Sequence, residues 1–185
     1  MQDPYNQAQT AAGLKPLFVA DPASKILIIG QAPGLKAQQA GRVFTDLSGE
    51  KLRAWLNVSD KEFYNPKNFA VLPMDFYYPG KGKTGDKPPR KEFAGLFHPL
   101  IIEQMKQIEL TILIGTYAQK YYLGSKMKQN LTETVRFYQD YLPQYFPLVH
   151  PSPLNFRWLS KNPWFETEVM VDLQQRISAI IENKD

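Results

Sequence analysis

The stretch Ile26-Leu27-Ile28-Ile29-Gly30-Gln31-Ala32-Pro33-Gly34 decides how this chain is read. Four branched apolar residues in a row fit a strand buried on both faces, as in a parallel sheet. Gly, Pro and one polar side chain then stand at its carboxyl end, which in an open α/β sheet is where ligands bind. A second stretch of the same design, Phe146 to Val149 followed by His150-Pro151-Ser152-Pro153-Leu154, lies about 120 residues further on. The two ends are expected to converge on one crevice.

Four short apolar runs read as strands: Ile26 to Ile29, Asn68 to Pro73, Leu110 to Gly115 and Tyr145 to Val149. Helical period runs through Leu47 to Leu56, Lys91 to Ile108, Thr116 to Leu123 and Trp164 to Ile181, the last with Val169, Leu173, Ile177 and Ile180 on one face. Strands alternating with helices predict an α/β fold whose parallel sheet is covered on both faces. Residues 1–23 are polar and without period, and read as an arm or short helix laid over the domain.

The bulk numbers narrow the classes. With 185 residues, 43% of them hydrophobic and 13% aromatic, the chain is expected to form a single domain over 1–185 with a well-filled core. A net charge of +4 and a pI near 9.1 are compatible with a polyanionic partner, depending on where the charges sit. The lack of cysteine excludes disulfides, thiolate metal sites and a cysteine nucleophile, and His98 and His150 alone supply imidazole. No metal or other cofactor is therefore expected. No apolar run approaches a membrane span and the first residues lack a secretory pattern, so the expectation is a soluble cytoplasmic protein.

Pro79 to Arg90 holds three glycines and three prolines, which deny it regular structure, and sets Lys81, Lys83, Lys87 and Arg90 against a single acid, Asp86. Following the second strand, it should overhang the same crevice. It reads as a solvated basic loop or as a lid that contacts phosphates. A Walker-type phosphate loop is not indicated, since Gly80 to Thr84 only echoes that motif's ending.

Taken together, these residues resemble the uracil-DNA glycosylase superfamily. Gly30 to Gly34 is similar to the Gly-Glu-Ala-Pro-Gly and Gly-Gln-Asp-Pro-Tyr forms of that family's first motif, and His150-Pro151-Ser152-Pro153 to the His-Pro-Ser-Pro of its second. Gly41-Arg42-Val43-Phe44 with Ser48-Gly49-Glu50-Lys51-Leu52 resembles the stretch carrying its base-stacking Phe. The resemblance covers roughly residues 24–182. Gln2-Asp3-Pro4-Tyr5 also looks like such a motif but has no strand before it, and is read as chance. The resemblance implies a three-layer αβα sandwich around a four-stranded parallel sheet. It further implies a metal-independent, monofunctional enzyme of base-excision repair that flips a uracil or other deaminated or modified base out of DNA and hydrolyses its N-glycosidic bond. A monomer is expected.

Such a reaction needs negative charge stabilised on the departing base and water admitted to an oxocarbenium-like sugar. The resemblance makes His150 the donor to uracil O2, Phe44 the stacking ring, and Ala32, Pro33 and Gly34 the backbone that approaches base and water. It sets Ser152, Leu154, Asn155 and Arg157 where phosphates are pinched and the vacated stack is filled, Leu154 being the wedge. Plainer readings are a strand-end cap for His150, a core position for Phe44 and loop packing for Leu154.

The pattern departs from the family at the water. Gln31 stands at the Glu position and Ala32 at the Asp position, and an amide can orient a water but cannot take its proton. Asp75, in Leu72-Pro73-Met74-Asp75-Phe76 after the second strand, is the candidate carboxylate or base-edge reader, with Met74 beside it at the base; a turn cap is the alternative. No Asn matches the family's uracil reader, since Asn68 begins its strand, and a carboxylate there would accept from N3–H but repel O4. A deaminated purine or modified pyrimidine is thus an alternative to uracil. Two further readings are a nucleic-acid-binding protein of this fold without turnover, and a nucleotide-handling enzyme using Gly30 to Gly34 as a phosphate loop ahead of a helix.

Overall fold

The computed structural model describes residues 3–182; the first two residues of the predicted arm, Gln2 among them, and the last three of the chain lie outside the described residues. Strands β1 (Ile26–Ile29), β2 (Phe69–Val71), β3 (Leu110–Ile114) and β4 (Tyr145–Leu148) form one all-parallel sheet in the order β2-β1-β3-β4. The chain steps from β1 to β2 on one side and then crosses to β3 on the other. That reversal opens a crevice at the carboxyl ends of β1 and β3.

Around the sheet run α1 (Gln7–Ala11), α2 (Leu35–Ala40), α3 (Leu47–Leu56), α4 (Asp60–Phe63), α5 (Phe93–Ile102), α6 (Gly115–Leu123), α7 (Leu131–Arg136), α8 (Phe156–Lys161) and α9 (Met170–Glu182). Alternation along the strands divides the core in two. Ile26, Ile28, Ile112 and Phe146 face α3, α7 and α9, through Leu52, Leu56, Val135 and Leu173. Leu27, Ile29, Ala70 and Leu113 face α5 and α6, through Phe93, Ala94, Ala118 and Leu123. The architecture is the three-layer α/β sandwich with a four-stranded parallel sheet that the sequence predicts.

Some boundaries differ for identifiable reasons. β2 is shorter than Asn68 to Pro73, spanning Phe69–Val71. Even so, Leu72 and Met74 donate to the carbonyls of Ile28 and Gly30, binding the strand's tail to the first motif. α5 stops at Ile102 rather than Ile108, as bonds from Gln104 to Ile101 and from Met105 to Ile102 tighten the chain into turns. The closing segment opens with a wide π turn over Phe165–Val169 before α9 begins. α4 and α7, too short to show a period, are set by their caps: a reciprocal box between Ser59 and Glu62, and Asn130 accepting from the Glu133 N–H.

Candidate active site

The carboxyl ends of β1 and β4 open into one cavity of about 420 Å³, and Gly30 to Gly34 form part of its wall together with His150 and Ser152. Gln31 and His150 line it together, as well as a smaller recess of about 200 Å³ alongside that reaches Gly115 and Tyr117 at the start of α6. The sheet topology thus unites the two motifs. Among the described residues no cluster of His, Asp and Glu could hold a metal ion, and no helix is long and apolar enough to cross a membrane.

Phe44 lines the same cavity in a strained backbone. Its φ of 52° lies in the left-handed region that costs an ordinary side chain about 1–3 kcal/mol. Three neighbours hold it there. Its carbonyl accepts from Arg53 Nη1 at 2.9 Å and from the Tyr64 hydroxyl at 3.0 Å, and Gly49 packs so closely beneath that a Cβ there would overlap the Phe44 carbonyl. The ring lies over the first motif, its Cζ 3.7 Å from where a Cβ on Gly30 would stand. An aromatic ring held rigidly in the cavity wall is a surface on which a planar ring can stack.

Asp46, which the sequence reading did not single out, also lines the cavity. It caps α3, with Oδ1 accepting from the Gly49 N–H at 3.1 Å, while Oδ2 would sit 3.9 Å from a Cβ on Gly34. The missed signal was local: an Asp directly before an apolar helical run is an N-cap. His150 reaches solvent through the cavity mouth, yet protein surrounds the ring closely enough for burial to pull its pKa below the ordinary histidine range, with the negative charge of Asp46 opposing the shift. At neutral pH the imidazole is therefore neutral, carrying one N–H to give and one lone pair. The Asn155 side chain donates to the His150 carbonyl at 2.7 Å and fixes the loop that carries the ring.

Pro79 to Arg90 is more ordered than its composition predicts. Gly80 and Gly85 take φ of 91° and 95°, Lys87 N–H donates to the Gly80 carbonyl, Gly82 N–H to that of Gly85, and Lys81 and Asp86 form an antiparallel bridge. The result is a small hairpin whose Thr84 and Asp86 line the cavity. It is tied to the first motif by Gln31 Nε2, which donates to the Lys87 carbonyl at 3.4 Å. Lys83 and Lys87 are exposed on it, and Lys81 reaches Asp86 at 3.6 Å.

Three predicted site residues, Asp75, Arg90 and Met74, are turned away from the cavity into packed surroundings. Asp75 is buried at 1% exposure: a bend after Pro73 turns its carboxylate away, where Oδ1 accepts from Tyr77 N–H and both oxygens are gripped by Arg90, Nε at 2.7 Å and Nη2 at 2.8 Å. Arg90, expected on the phosphate-contacting surface, is drawn inward by this pair. Its Nη1 donates to the Tyr5 carbonyl and the Asn6 side chain, and the guanidinium lies 4.5 Å over Phe93. Met74 points into the core facing α5. By contrast Leu154 is 84% exposed at the tip of the second motif, and Arg157 is exposed one turn on. Ser152 caps the turn between them by accepting from the Leu154 N–H.

Comparison with known proteins agrees with this fold. A solved structure, the solution NMR structure of a candidate uracil DNA glycosylase from Methanosarcina acetivorans, superimposes with a TM-score of 0.51 at 16% identity, covering 87% of this chain and 96% of that one, a likeness of fold. Over residues 17–174 the sequence matches the uracil DNA glycosylase superfamily, and the chain belongs to that family.

Proposed function

We propose that this protein is a DNA glycosylase of base-excision repair, hydrolysing the N-glycosidic bond of a flipped uracil or related deaminated base without a metal. The convergence of Phe44, His150, Gln31 and Asp46 on a single cavity carries the reading. Phe44 stacks on the extruded base, an aromatic face accepting any planar ring. Neutral His150 donates its N–H to the base O2, where negative charge grows as the bond breaks; this interaction strengthens toward the transition state and so accelerates the step.

Water attacks the anomeric carbon from the first-motif side. Gln31 orients it by hydrogen bonding but cannot take its proton, and Asp46, the one of the two cavity carboxylates that adjoins the first motif, does so and steadies the oxocarbenium-like sugar. Asp46 Oδ2 stands beside Gly34 of the first motif, on the same cavity wall. Leu154 fills the vacated stack, Ser152 and Arg157 contact the phosphates beside it, and Lys83 and Lys87 meet the backbone from the hairpin.

The test is a panel of oligonucleotides containing uracil, hypoxanthine or xanthine, treated with alkali after incubation to reveal abasic sites. Cleavage that disappears in His150→Ala and falls about a hundredfold or more in Asp46→Asn supports the proposal. Salt-sensitive binding with no abasic site on any base would favour instead a nucleic-acid-binding protein without turnover, the reading that the amide at Gln31 keeps open.

A further inference from the structure

At the end of β2 the cavity wall carries no polar side chain. The end of β2 contributes only Val71 and Pro73, and the Pro73 carbonyl already accepts from His98 Nε2 at 2.9 Å. The facing polar groups come from the hairpin after β2: Thr84 and Asp86. Both contacts to Asp86, from the Tyr78 hydroxyl at 3.2 Å and from Lys81 at 3.6 Å, fall on Oδ1. The Asp86 side chain lines the cavity and remains 38% exposed, so its carboxylate is an acceptor there, with the Thr84 hydroxyl two residues away as a donor.

Resting on the glycosylase reading above, we propose that Thr84 and Asp86 form the base-edge reader of this site and select a lactam edge. The Asp86 carboxylate accepts from the ring N–H and the Thr84 hydroxyl donates to the adjacent carbonyl. Uracil, hypoxanthine and xanthine carry that edge because deamination creates it. Cytosine and adenine present the reverse, a ring lone pair beside an amino group, which meets a carboxylate with repulsion. An acceptor and a donor on two hairpin side chains together do what one side-chain amide can do alone. Because the hairpin is bonded to Gln31 through the Lys87 carbonyl, recognition of the edge is mechanically joined to the wall that holds the water.

Equilibrium binding separates this proposal from catalysis. Fluorescence anisotropy is read on two single-stranded oligonucleotides, one holding a single 2′-fluoro-deoxyuridine, which resists cleavage, the other 2′-fluoro-deoxycytidine. The wild type is expected to prefer the uracil strand by on the order of tenfold to a hundredfold, and Asp86→Ala and Thr84→Val each to lose most of that preference while Thr84→Ser keeps it. Circular dichroism melts of the variants, matching the wild type, exclude unfolding as the cause. A wild type without preference, or variants that retain it, would overturn the reader and leave the glycosylase reading to stand on oligonucleotide cleavage and its loss in His150→Ala. Preference lost in the variants with no cleavage of any base would uphold the reader and sink the enzyme.

Discussion

Replacing Asp75 by Asn separates a structural lock from a catalytic base. The Asp75 side chain is 2% exposed and receives four hydrogen bonds, two from the Arg90 guanidinium and one each from the Tyr77 and Arg90 backbone N–H groups. An amide keeps one acceptor and turns its NH2 toward donors that then have no acceptor, while Arg90 loses its counter-charge in a ring of Tyr5, Tyr77 and Phe93. Removing one partner of a buried pair costs about 3–5 kcal/mol, and because Arg90 remains 25% exposed the lower end applies, about 3 kcal/mol. At roughly 2–4 °C per kcal/mol for a chain of this size, Tm should fall by about 6–12 °C. Thermal melts of Asp75→Asn, Arg90→Met and the double variant measure it, the double falling by less than the sum because the two losses share one interaction. Excision of uracil at 25 °C should stay within about threefold of the wild type, whereas loss of a general base would cost roughly a hundredfold or more. An unchanged Tm, or cleavage lost at full stability, would refute the lock.

Three more outcomes follow from the same structure. Gly49→Ala drives a methyl into the Phe44 carbonyl and should lower stability by about 1–3 kcal/mol and weaken excision by displacing the stacking ring, read by melting and by kcat/KM; an active, fully stable variant would remove Gly49 from the support of Phe44. His98 is buried at 1% exposure with Nε2–H given to the Pro73 carbonyl and Nδ1 accepting from Tyr122, so desolvation depresses its native pKa below the ordinary 6.5. The unfolded chain then binds more protons than the native one as pH falls below about 6.5. Stability is therefore full above that pH and declines below it, by at most about 1.4 kcal/mol per pH unit for each such histidine, His150 acting in the same direction. Urea titrations from pH 8 to 5 check this, and a flat profile would contradict it. Leu154→Ala, at an 84% exposed position, should leave stability within about 0.5 kcal/mol yet reduce excision from duplex more than from single strands, and an equal effect on both would argue against a wedge.

Much of this molecule was legible along the chain. The four apolar runs became the four strands, and α3 spans the predicted Leu47–Leu56, because burial on both faces and the 3.6-residue period are properties of near neighbours. The two motifs were legible as strand ends, and with them Gln31, Phe44 and His150. Which carboxylates face the cavity was decided elsewhere. Asp75 and Asp46 each follow a turn signal, and nothing local says that Arg90, fifteen residues on and itself anchored to Tyr5 and Asn6, will pull one carboxylate into the core while α3 lifts the other beside His150. The hairpin was hidden for a similar reason: glycine and proline counts report that a segment avoids helix and strand, whereas the bridge between Lys81 and Asp86 depends on two left-handed glycines acting together. Sequence determined the sheet and the two ends that meet, since backbone preference and burial are summed residue by residue. Only the folded chain decided the charges around the cavity, since the orientation of an ionised group is set by the partner that compensates its desolvation, and that partner can come from any distance along the chain.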